Sequence, residues 1–521
     1  MARRTLRLIA ILIIGTLIFP AGIASQPETD AGRFDAIDAF VRDEMDGSNI
    51  PGVALAIIED GKPVHLAGFG TAGDDRNVTP QTPFPIGSLT KSMTALSIMQ
   101  LVEAGRIDLD APVQAYLPWF TVADEDAATR ITIRHLLNQT SGLSRRTGIE
   151  LVLEHGDADL EETVRSLATA GLNRPVGESY EYSNANYAVL SLVVQEVSGQ
   201  PFGDYLEANV FTPLGMESAT TSLAVARERG LTDVHRYWFG LPVETALSEL
   251  PGHEPAFISV EDMATYVTMF LNDGRHGDTH LLSAEGIRQM LTPATNETTK
   301  PLLGTEFTFR YGMGWFVGPF GAIDDARWHL GELPSFNAWM VLMPGQDRAV
   351  VVLTNADSQL PLPAATGVMS RIPNGIVNLL ADEPVPEGMS LQTFYVFFDA
   401  IVVTIVALQL AALVRLWRRP LASVHDESGS RERRPLLRFV TPLLWELPLA
   451  IGILLGGPMV AGTGWRGTFT SMPDLAVTLL LIASLWLLTA TVRVARLVRE
   501  RRTAHPPAEQ ASIGRATAPA H

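Results

Sequence analysis

Three long apolar stretches limit what the last quarter of this chain can fold into. They comprise residues 394–414, 439–460 and 475–492, and they carry two charged side chains in all, Asp399 in the first and Glu446 in the second. An α-helix needs about 20 apolar residues to cross the hydrocarbon core of a bilayer. The sequence therefore predicts three transmembrane helices, and a lipid bilayer as their partner.

Arginines are divided unevenly among the segments that connect these stretches. Seven lie between the first and second stretches and six follow the third, whereas the connection between the second and third has only Arg466. Positively charged connections stay in the cytoplasm. We therefore expect a multi-pass protein of the cell membrane, with a cytoplasmic tail at 493–521. Residues 26–380 and a proline-containing linker, 381–393, are then extracytoplasmic.

The N-terminus also predicts export. Three arginines precede an apolar run from Leu8 to Phe19, and the small residues Gly22, Ala24 and Ser25 follow it. This order is typical of a secretory signal peptide, here residues 1–25. If the segment is not cleaved, it acts as a signal anchor and the next domain is still outside. The chain has no cysteine, which excludes a lipoprotein-type anchor, disulfides and thiolate metal sites.

The exported part is acidic. Residues 26–390 contain 49 acidic and 22 basic side chains, whereas residues 391–521 contain 8 acidic and 14 basic ones. An acidic domain argues against nucleic acid as a partner, because such proteins present basic surfaces to phosphates. Oligomeric state does not follow from these counts.

Apolar runs near both ends of the exported part predict β-hairpins. One pair of runs surrounds Asp60-Gly61 within residues 52–70, and another surrounds Pro344-Gly345 within residues 336–355. Helical patterns lie between them, at 88–105, 131–137, 186–198 and 259–272. The predicted fold class is therefore α+β: an antiparallel sheet flanked by helices, with an inserted helical subdomain and three transmembrane helices after it.

Lysine is rare in this chain, and one lysine lies beside a serine. Only three of the 39 basic residues are lysines, and Lys91 follows Ser88 by three residues at the start of a helical pattern. Such a pair lies about one turn apart on one helix face. A desolvated lysine can accept a proton from a serine. A position at the start of a helix would help to activate that serine. The alternative is a helix-capping serine and a surface lysine.

Two further short motifs occur once each. Tyr182-Ser183-Asn184 precedes a helical pattern, where a phenol can relay protons and an amide can hold a lysine and a substrate carbonyl; the alternative is a helix cap with a packed tyrosine. His329-Leu330-Gly331 precedes the second hairpin, so we expect it on a strand at the sheet's edge. There a glycine permits close approach of a substrate backbone, although a lone histidine on a strand is often structural.

The motifs Ser88-Leu-Thr-Lys91, Tyr182-Ser-Asn184 and His329-Leu-Gly331, in this order, resemble the active-site motifs of the serine beta-lactamase and penicillin-binding-protein superfamily. The resemblance is to its class C beta-lactamase-related branch. In having a histidine in the third motif, the chain resembles the D-alanyl-D-alanine carboxypeptidases and esterases of that branch. Two more segments match: residues 131–143, where Gln139 replaces a usual histidine, and residues 311–317.

The resemblance implies a role for each matched residue. Ser88 would be the nucleophile, Lys91 its base or activator, and Tyr182 a proton carrier. Asn184 would orient the substrate, and His329 would stabilise its far end. Close approach at Gly331 would let the N–H of Glu332 join that of Ser88 in an oxyanion hole. The resemblance implies neither a cofactor nor a metal.

These observations favour a membrane-anchored serine hydrolase that forms an acyl-enzyme on Ser88. The expected substrates are small molecules or cell-wall-derived peptides: D-amino-acid peptides or esters, and less readily beta-lactams. The alternatives are a non-catalytic receptor or scaffold that binds wall fragments, and a transporter with an accessory domain. Three helices with two isolated acids offer little for a transport pathway.

Overall fold

The computed structural model describes residues 30–155, 159–247, 256–302, 305–358, 368–418, 434–460 and 464–504. The predicted signal peptide, residues 1–25, lies outside the described residues, and so does the predicted tail from residue 505 onward. Within them, the predicted α+β fold is confirmed: an antiparallel sheet, helices on and between its parts, and three long apolar helices after it.

Among the described residues, nine strands form the main sheet in the order β10-β11-β12-β13-β14-β15-β1-β2-β3, and seven short strands form smaller sheets. The strands are β1 Gly52–Glu59, β2 Lys62–Gly73, β3 Arg76–Asn77, β4 Pro83–Pro85, β5 Val234–Trp238, β6 Leu241–Thr245, β7 Phe257–Ser259, β8 Arg275–His276, β9 Thr279–His280, β10 Thr298–Leu302, β11 Thr305–Tyr311, β12 Phe316–Phe320, β13 Ile323–Leu333, β14 Phe336–Met343, β15 Arg348–Thr354 and β16 Ala356–Asp357.

Both predicted hairpins are present, and they lie side by side in the sheet, between β13 and β3. β1 pairs antiparallel with β2 and with β15, and β15 pairs with β14. Asp60 and Gly61 both have positive φ in the first turn, as a two-residue hairpin turn of this type requires. β1 is an almost unbroken apolar run, and every residue of it except Glu59 is buried, as expected of a strand that is covered on both faces.

Most of the helices lie between β4 and β10, as the inserted helical region. The described α-helices are α1 Asp30–Ser48, α2 Thr90–Glu103, α3 Glu125–Ala128, α4 Ile133–Leu137, α5 Arg145–His155, α6 Leu160–Arg165, α7 Asn184–Ser198, α8 Phe202–Leu206, α9 Thr212–Leu214, α10 Leu223–Glu228, α11 Val260–Leu271, α12 Ala284–Leu291, α13 Val368–Leu380, α14 Leu391–Arg418, α15 Arg434–Val460, α16 Gly464–Ser471 and α17 Pro473–Ala504.

Helices α2 and α7 form the centre of that region. Ten residues of each are buried, so these helices are enclosed on most sides, and they pack against each other. The predicted start of α11 is also observed, because the Ser259 side chain accepts a hydrogen bond from Asp262 N. Since α2 and α7 carry the first two motifs at their N-termini, their packing brings those termini together.

The three C-terminal helices α14, α15 and α17 are long and apolar enough to cross a membrane. Each extends past its predicted stretch, because the helical backbone continues into arginine-containing turns where the hydropathy falls. Glu446 of α15 is buried and pairs with Arg493 of α17 at 3.0 Å, so the charge within the second stretch joins two helices. The short helix α16 has no counterpart in the sequence prediction.

One partly buried ion pair joins the two ends of the domain. Arg371 of α13 donates to both carboxylate oxygens of Glu44 in α1, at 2.8 and 2.6 Å. Next to it, Gly375 of α13 lies against the ring of Phe40, with no room for a Cβ. The last helix of the domain is thereby fastened to the C-terminal half of α1.

We predict that Arg371→Ala lowers the free energy of unfolding by about 1–3 kcal/mol, because it leaves the shielded Glu44 carboxylate unpaired. Denaturant unfolding of the full chain in detergent measures this. The control is Arg146→Ala, which removes an exposed pair with Glu150 and should leave the free energy of unfolding nearly unchanged. Equal effects of the two substitutions would contradict the proposed role of the Glu44 pair.

Candidate active site

Ser88 lies in a tight 3-10 turn, Gly87–Leu89, directly before α2. The sequence placed Ser88 at the helix start; the structure places it two residues earlier, still within reach of Lys91. Lys91 Nζ donates a hydrogen bond to Ser88 Oγ at 2.9 Å, and only 8% of Lys91 is exposed. The alternative of a surface lysine therefore does not describe this side chain.

Tyr182 approaches the same oxygen from the other side. Its hydroxyl donates to Ser88 Oγ at 3.0 Å, and Lys91 Nζ lies 5.2 Å from the centroid of its ring and 5.8 Å from that of Tyr187. These ring faces stabilise a desolvated cation. Ser88 Oγ has two lone pairs, and both are directed at proton-bearing groups. Either neighbour could therefore take the serine proton once it has lost its own.

The loop that carries Tyr182 is held by a residue that the motif analysis gave no role. Gln139 is fully buried, and its Oε1 accepts from Ser183 N at 2.9 Å and from Asn186 Nδ2 at 2.5 Å. Asn186 in turn accepts from Ser141 Oγ. The sequence marked Gln139 as unusual, because it replaces a usual histidine within residues 131–143. The contact of Gln139 with the second motif could not be predicted from the sequence.

Asn184 starts α7 and faces the space beside Ser88. Its Oδ1 is buried and has no hydrogen-bond partner among the described residues. The alternative of a capping side chain is not observed, since Ser183, the N-cap residue, makes no side-chain cap bond. A buried acceptor without a partner costs free energy, so this atom is suited to receive an N–H from a bound molecule.

The third motif lies on β13, which crosses directly over the turn that carries Ser88. A Cβ on Gly331 would lie 1.9 Å from Ile86 O and 3.1 Å from Ser88 N, and one on Gly87 would lie 3.3 Å from Glu332 N. Only glycine permits this approach. It places the N–H groups of Ser88 and Glu332 at the same crossing, where the sequence analysis expected an oxyanion hole.

The expected position of β13 at the sheet's edge is wrong, because β10, β11 and β12 extend the sheet beyond it. Pairing between β12 and β13 nevertheless ends at Trp328. From His329 onward, β13 therefore has a strand partner on one side only. Its open side faces the Ser88 turn, which explains why this part of an interior strand can serve a site.

His329, the histidine of the third motif, is packed inside the domain. It is fully buried, its Nε2 lies 3.2 Å from Tyr311 Oη, and its Nδ1 lies 2.7 Å from Leu330 O. Its ring lies 6.3 Å from that of Tyr182. The structure thus shows a histidine packed behind the tyrosine, and substrate contact by His329 stays a prediction.

A cavity of about 400 Å³ opens beside Ser88. It follows α7 from Asn184 to Gln195, about 16 Å at 1.5 Å per residue, and Phe202, Gly203 and Thr221 lie among its other lining residues. Among the described lining residues only Lys91 and Glu332 are charged. No group of three or more potential metal-ligating side chains occurs among the residues that the structure describes.

His329 yields a prediction about acid stability. Burial and the nearby Lys91 charge lower the pKa of His329 to about 3, from an ordinary value of about 6.5. Between these values the unfolded chain binds a proton that the native chain does not, so stability falls as the pH falls. His329→Gln should reduce that fall by up to about 1.4 kcal/mol per pH unit.

Unfolding of the full chain at a series of pH values between about 6.5 and 3 measures this slope. The control is His280→Gln, which makes the same substitution at a histidine that is exposed instead of buried. Identical slopes for the wild-type chain and His329→Gln would show that His329 is not kept neutral by its surroundings.

Comparison with known proteins gives consistent matches over this domain. Residues 37–367 match the family model described as Beta-lactamase. Protein flp of Staphylococcus aureus (strain MW2) is 26% identical over 325 residues, which are 62% of this chain and 63% of that protein. Penicillin-binding protein 4 of Amycolatopsis lactamdurans is 30% identical over 334 residues, 62% of this chain and 84% of that protein.

The fold has a counterpart among solved structures. The structure of the octameric penicillin-binding protein homologue from Pyrococcus abyssi matches with a TM-score of 0.57 and 24% identity, over 72% of this chain and 81% of that chain. At this identity the likeness shows the fold alone. The family model covers well over half of the chain, and together with the shared fold it shows that this chain belongs to the beta-lactamase family.

Proposed function

We propose that the chain is a membrane-anchored serine hydrolase that works outside the cytoplasm through an acyl-enzyme on Ser88. The observation that carries this proposal is the convergence of Lys91 Nζ and Tyr182 Oη on Ser88 Oγ, at 2.9 and 3.0 Å. The backbone nitrogens of Ser88 and Glu332 lie at the crossing of β13 over the Ser88 turn, and both residues line the open cavity. A nucleophile, proton acceptors and oxyanion donors are the parts that acyl transfer needs.

In the first half of the reaction, Ser88 Oγ attacks the substrate carbonyl carbon. Its proton passes to whichever of Lys91 Nζ and Tyr182 Oη is unprotonated. The carbonyl electrons move to oxygen, which the N–H groups of Ser88 and Glu332 would bind; one such donor contributes about 3 kcal/mol. The bond to the leaving group then breaks, and the leaving group takes up the proton.

In the second half, a water molecule attacks the ester carbonyl of the acylated Ser88. The same base accepts a proton from the water, and Ser88 Oγ recovers a proton as it departs. Asn184 Oδ1 would hold an N–H of the acyl part during both halves, since nothing in the described chain bonds it. Lys91 and Tyr182 both reach Ser88, so the geometry is compatible with either as the base.

The membrane placement rests on the C-terminal helices and on charge. Helices α14, α15 and α17 are long and apolar enough to span a bilayer. The arginine-rich connection between the first two, and the arginine-rich end of the third, favour the cytoplasmic side. With three spans, the hydrolase domain before the first lies on the opposite side, where cell-wall peptides and esters are available.

Glu332 indicates which of these cell-wall peptides and esters are the expected substrates. Its side chain lines the cavity, is open to solvent, and has no ion-pair or hydrogen-bond partner among the described residues. Among the described lining residues the only other charged group is Lys91, which already bonds Ser88, and the charge of Arg145 acts on Glu332 from outside the lining. A substrate carboxylate beside Glu332 would be repelled. We therefore favour esters and amides that present a neutral or cationic group there over peptides that present a carboxylate.

The first test is loss of function. Ser88→Ala should lower hydrolysis of p-nitrophenyl butyrate on the order of a thousandfold or more and abolish labelling by a fluorescent penicillin. Tyr182→Phe should lower hydrolysis by about 100-fold, because a proton carrier is removed. The control Ser198→Ala alters a serine at the far end of α7 and should leave both readouts unchanged. Turnover by Ser88→Ala at the wild-type rate would sink the proposal.

The second test is charge preference. We compare kcat/KM for p-nitrophenyl esters of matched length whose acyl chains end in a methyl, an ammonium or a carboxylate group. The wild-type chain should prefer the ammonium ester to the carboxylate ester, and Glu332→Gln should shrink that ratio about tenfold, which corresponds to about 1.4 kcal/mol. Glu178→Gln, an exposed acid outside the cavity lining, is the matched control.

The charge preference should also depend on pH in a defined direction. Partial desolvation by the cavity walls raises the pKa of Glu332, and the nearby positive charge of Arg145 opposes that shift. As the pH is lowered towards this raised pKa, Glu332 becomes neutral and the preference for the ammonium ester should decline in the wild-type chain. It should stay flat in Glu332→Gln. A preference that is identical in the two proteins at every pH would overturn the role of Glu332.

A further inference from the structure

The hairpin β5–β6 carries an exposed apolar surface that the hydrolase site does not explain. Leu241 and Val243 of β6 are 63% and 44% exposed. β6 is also the outermost strand of its three-stranded sheet. An apolar edge strand in water invites aggregation, so soluble proteins usually cover or charge such edges. β6 also carries Pro242 and the exposed Glu244, which disfavour pairing with another strand, so an apolar partner for Leu241 and Val243 would be a surface of another kind.

The tip of this hairpin contacts the helices that could cross the membrane. Phe239 and Gly240 form its two-residue turn, both with positive φ. A Cβ on Gly240 would lie 3.0 Å from Tyr395 Cβ in α14, and the ring of Phe239 lies 6.5 Å from that of Phe398 in the same helix. The turn is thus packed on the second turn of α14, where Val396 and Phe397 are exposed, and Leu241 directly follows the hairpin turn in the chain.

A second contact fixes the end of the helical bundle at which the hairpin lies. Arg236 of β5 donates to Thr470 O in α16 at 3.2 Å. α16 connects the second and third long helices, so in a three-span topology it lies at the same end of the bundle as the start of α14. The hairpin contacts both, which places it at the end nearest the hydrolase domain.

The length of α14 indicates how deep in the bilayer the tip of the β5–β6 hairpin lies. α14 has 28 residues, about 42 Å at 1.5 Å per residue, whereas the hydrocarbon core is about 30 Å thick. If the helix is centred, about 6 Å projects at each end. Phe398 is the eighth residue of α14, about 10 Å from its start. The contact between Phe239 and Phe398 therefore lies at or just inside the edge of the hydrocarbon.

From this juxtaposition we propose that the β5–β6 hairpin, Val234–Thr245, inserts its tip and the apolar residues Leu241 and Val243 into the outer leaflet of the bilayer. The partner is the lipid itself, at the boundary between headgroups and acyl chains. The inference rests on the membrane placement proposed above. Exposed apolar side chains that continue a lipid-facing helix surface are the type of anchor that interfacial segments use.

The hairpin also connects the lipid contact to the catalytic cleft. Val234, at the start of β5, shares an apolar cluster with Leu333, which lines the cavity. His235 N donates to Ser335 O at 3.2 Å, in the turn that follows Leu333. β5 has five residues, about 16 Å at 3.3 Å per residue. The inserted hairpin would therefore hold the cleft at a fixed, short height above the bilayer.

The absence of cysteine from the chain permits a direct test. Single cysteines are introduced as Leu241→Cys, Val64→Cys and Leu408→Cys, spin-labelled, and the full chain is reconstituted in phosphatidylcholine–phosphatidylglycerol vesicles. Collision with oxygen, which concentrates in lipid, is compared with collision with a water-soluble nickel chelate. Val64 is an exposed apolar residue of β2, in the hydrolase domain, and Leu408 is an exposed residue in the middle of α14.

The proposal predicts that the label at Leu241 has an oxygen-to-nickel ratio severalfold above that at Val64 and shifted towards that at Leu408. A label at Leu241 that matches Val64 while Leu408 reports lipid would overturn hairpin insertion and leave the membrane placement standing. A label at Leu408 that reports water would overturn the membrane placement and, with it, the insertion. The three positions thereby separate failure of the inference from failure of the proposal beneath it.

Discussion

The close crossing of β13 over the Ser88 turn is the constraint on which the site depends. Gly331 has no Cβ, and any Cβ there would lie 1.9 Å from Ile86 O. That contact sets the two N–H groups of the expected oxyanion hole side by side and fixes the turn from which Ser88 projects. Because the turn leads directly into the buried helix α2, Lys91 is held against Ser88 by the same packing. Backbone sterics therefore determine where the chemistry can occur.

The free-energy cost of burying polar groups around that crossing is compensated by specific contacts. Lys91 is a nearly buried cation, which is costly without compensation; the Ser88 hydroxyl and the ring faces of Tyr182 and Tyr187 supply it. Gln139 satisfies backbone and side-chain donors of the loop that presents Tyr182. The unbonded Asn184 Oδ1 and the unpaired Glu332 carboxylate belong to residues that line the cavity, whereas Gln139 Nε2 and Ser183 Oγ have no partner among the described residues and lie outside the lining. The first two groups are therefore the ones that a bound substrate can satisfy.

Local sequence patterns predict much of this fold. The features that they do not predict depend on contacts between segments that are distant in the sequence. The Asp60-Gly61 hairpin, the buried helix after Ser88 and the three apolar helices each have a short-range signature, and each is observed. The interior position of β13 and the buried setting of His329 depend on pairing with distant strands, which a local pattern does not encode. The support from Gln139 depends likewise on a loop more than forty residues away. The roles of the site residues stay predictions, although their convergence is observed.

The central claim is that Ser88 forms a covalent acyl-enzyme, and mass spectrometry tests it most directly. The full chain is incubated with a penicillin or with cell-wall extract, quenched in acid, digested and mapped. The account predicts one added acyl mass on the peptide that contains Ser88, at near-stoichiometric yield, and no such mass in Ser88→Ala. An adduct on another residue, or substrate turnover in rapid-quench samples that never carry an adduct on Ser88, would contradict it.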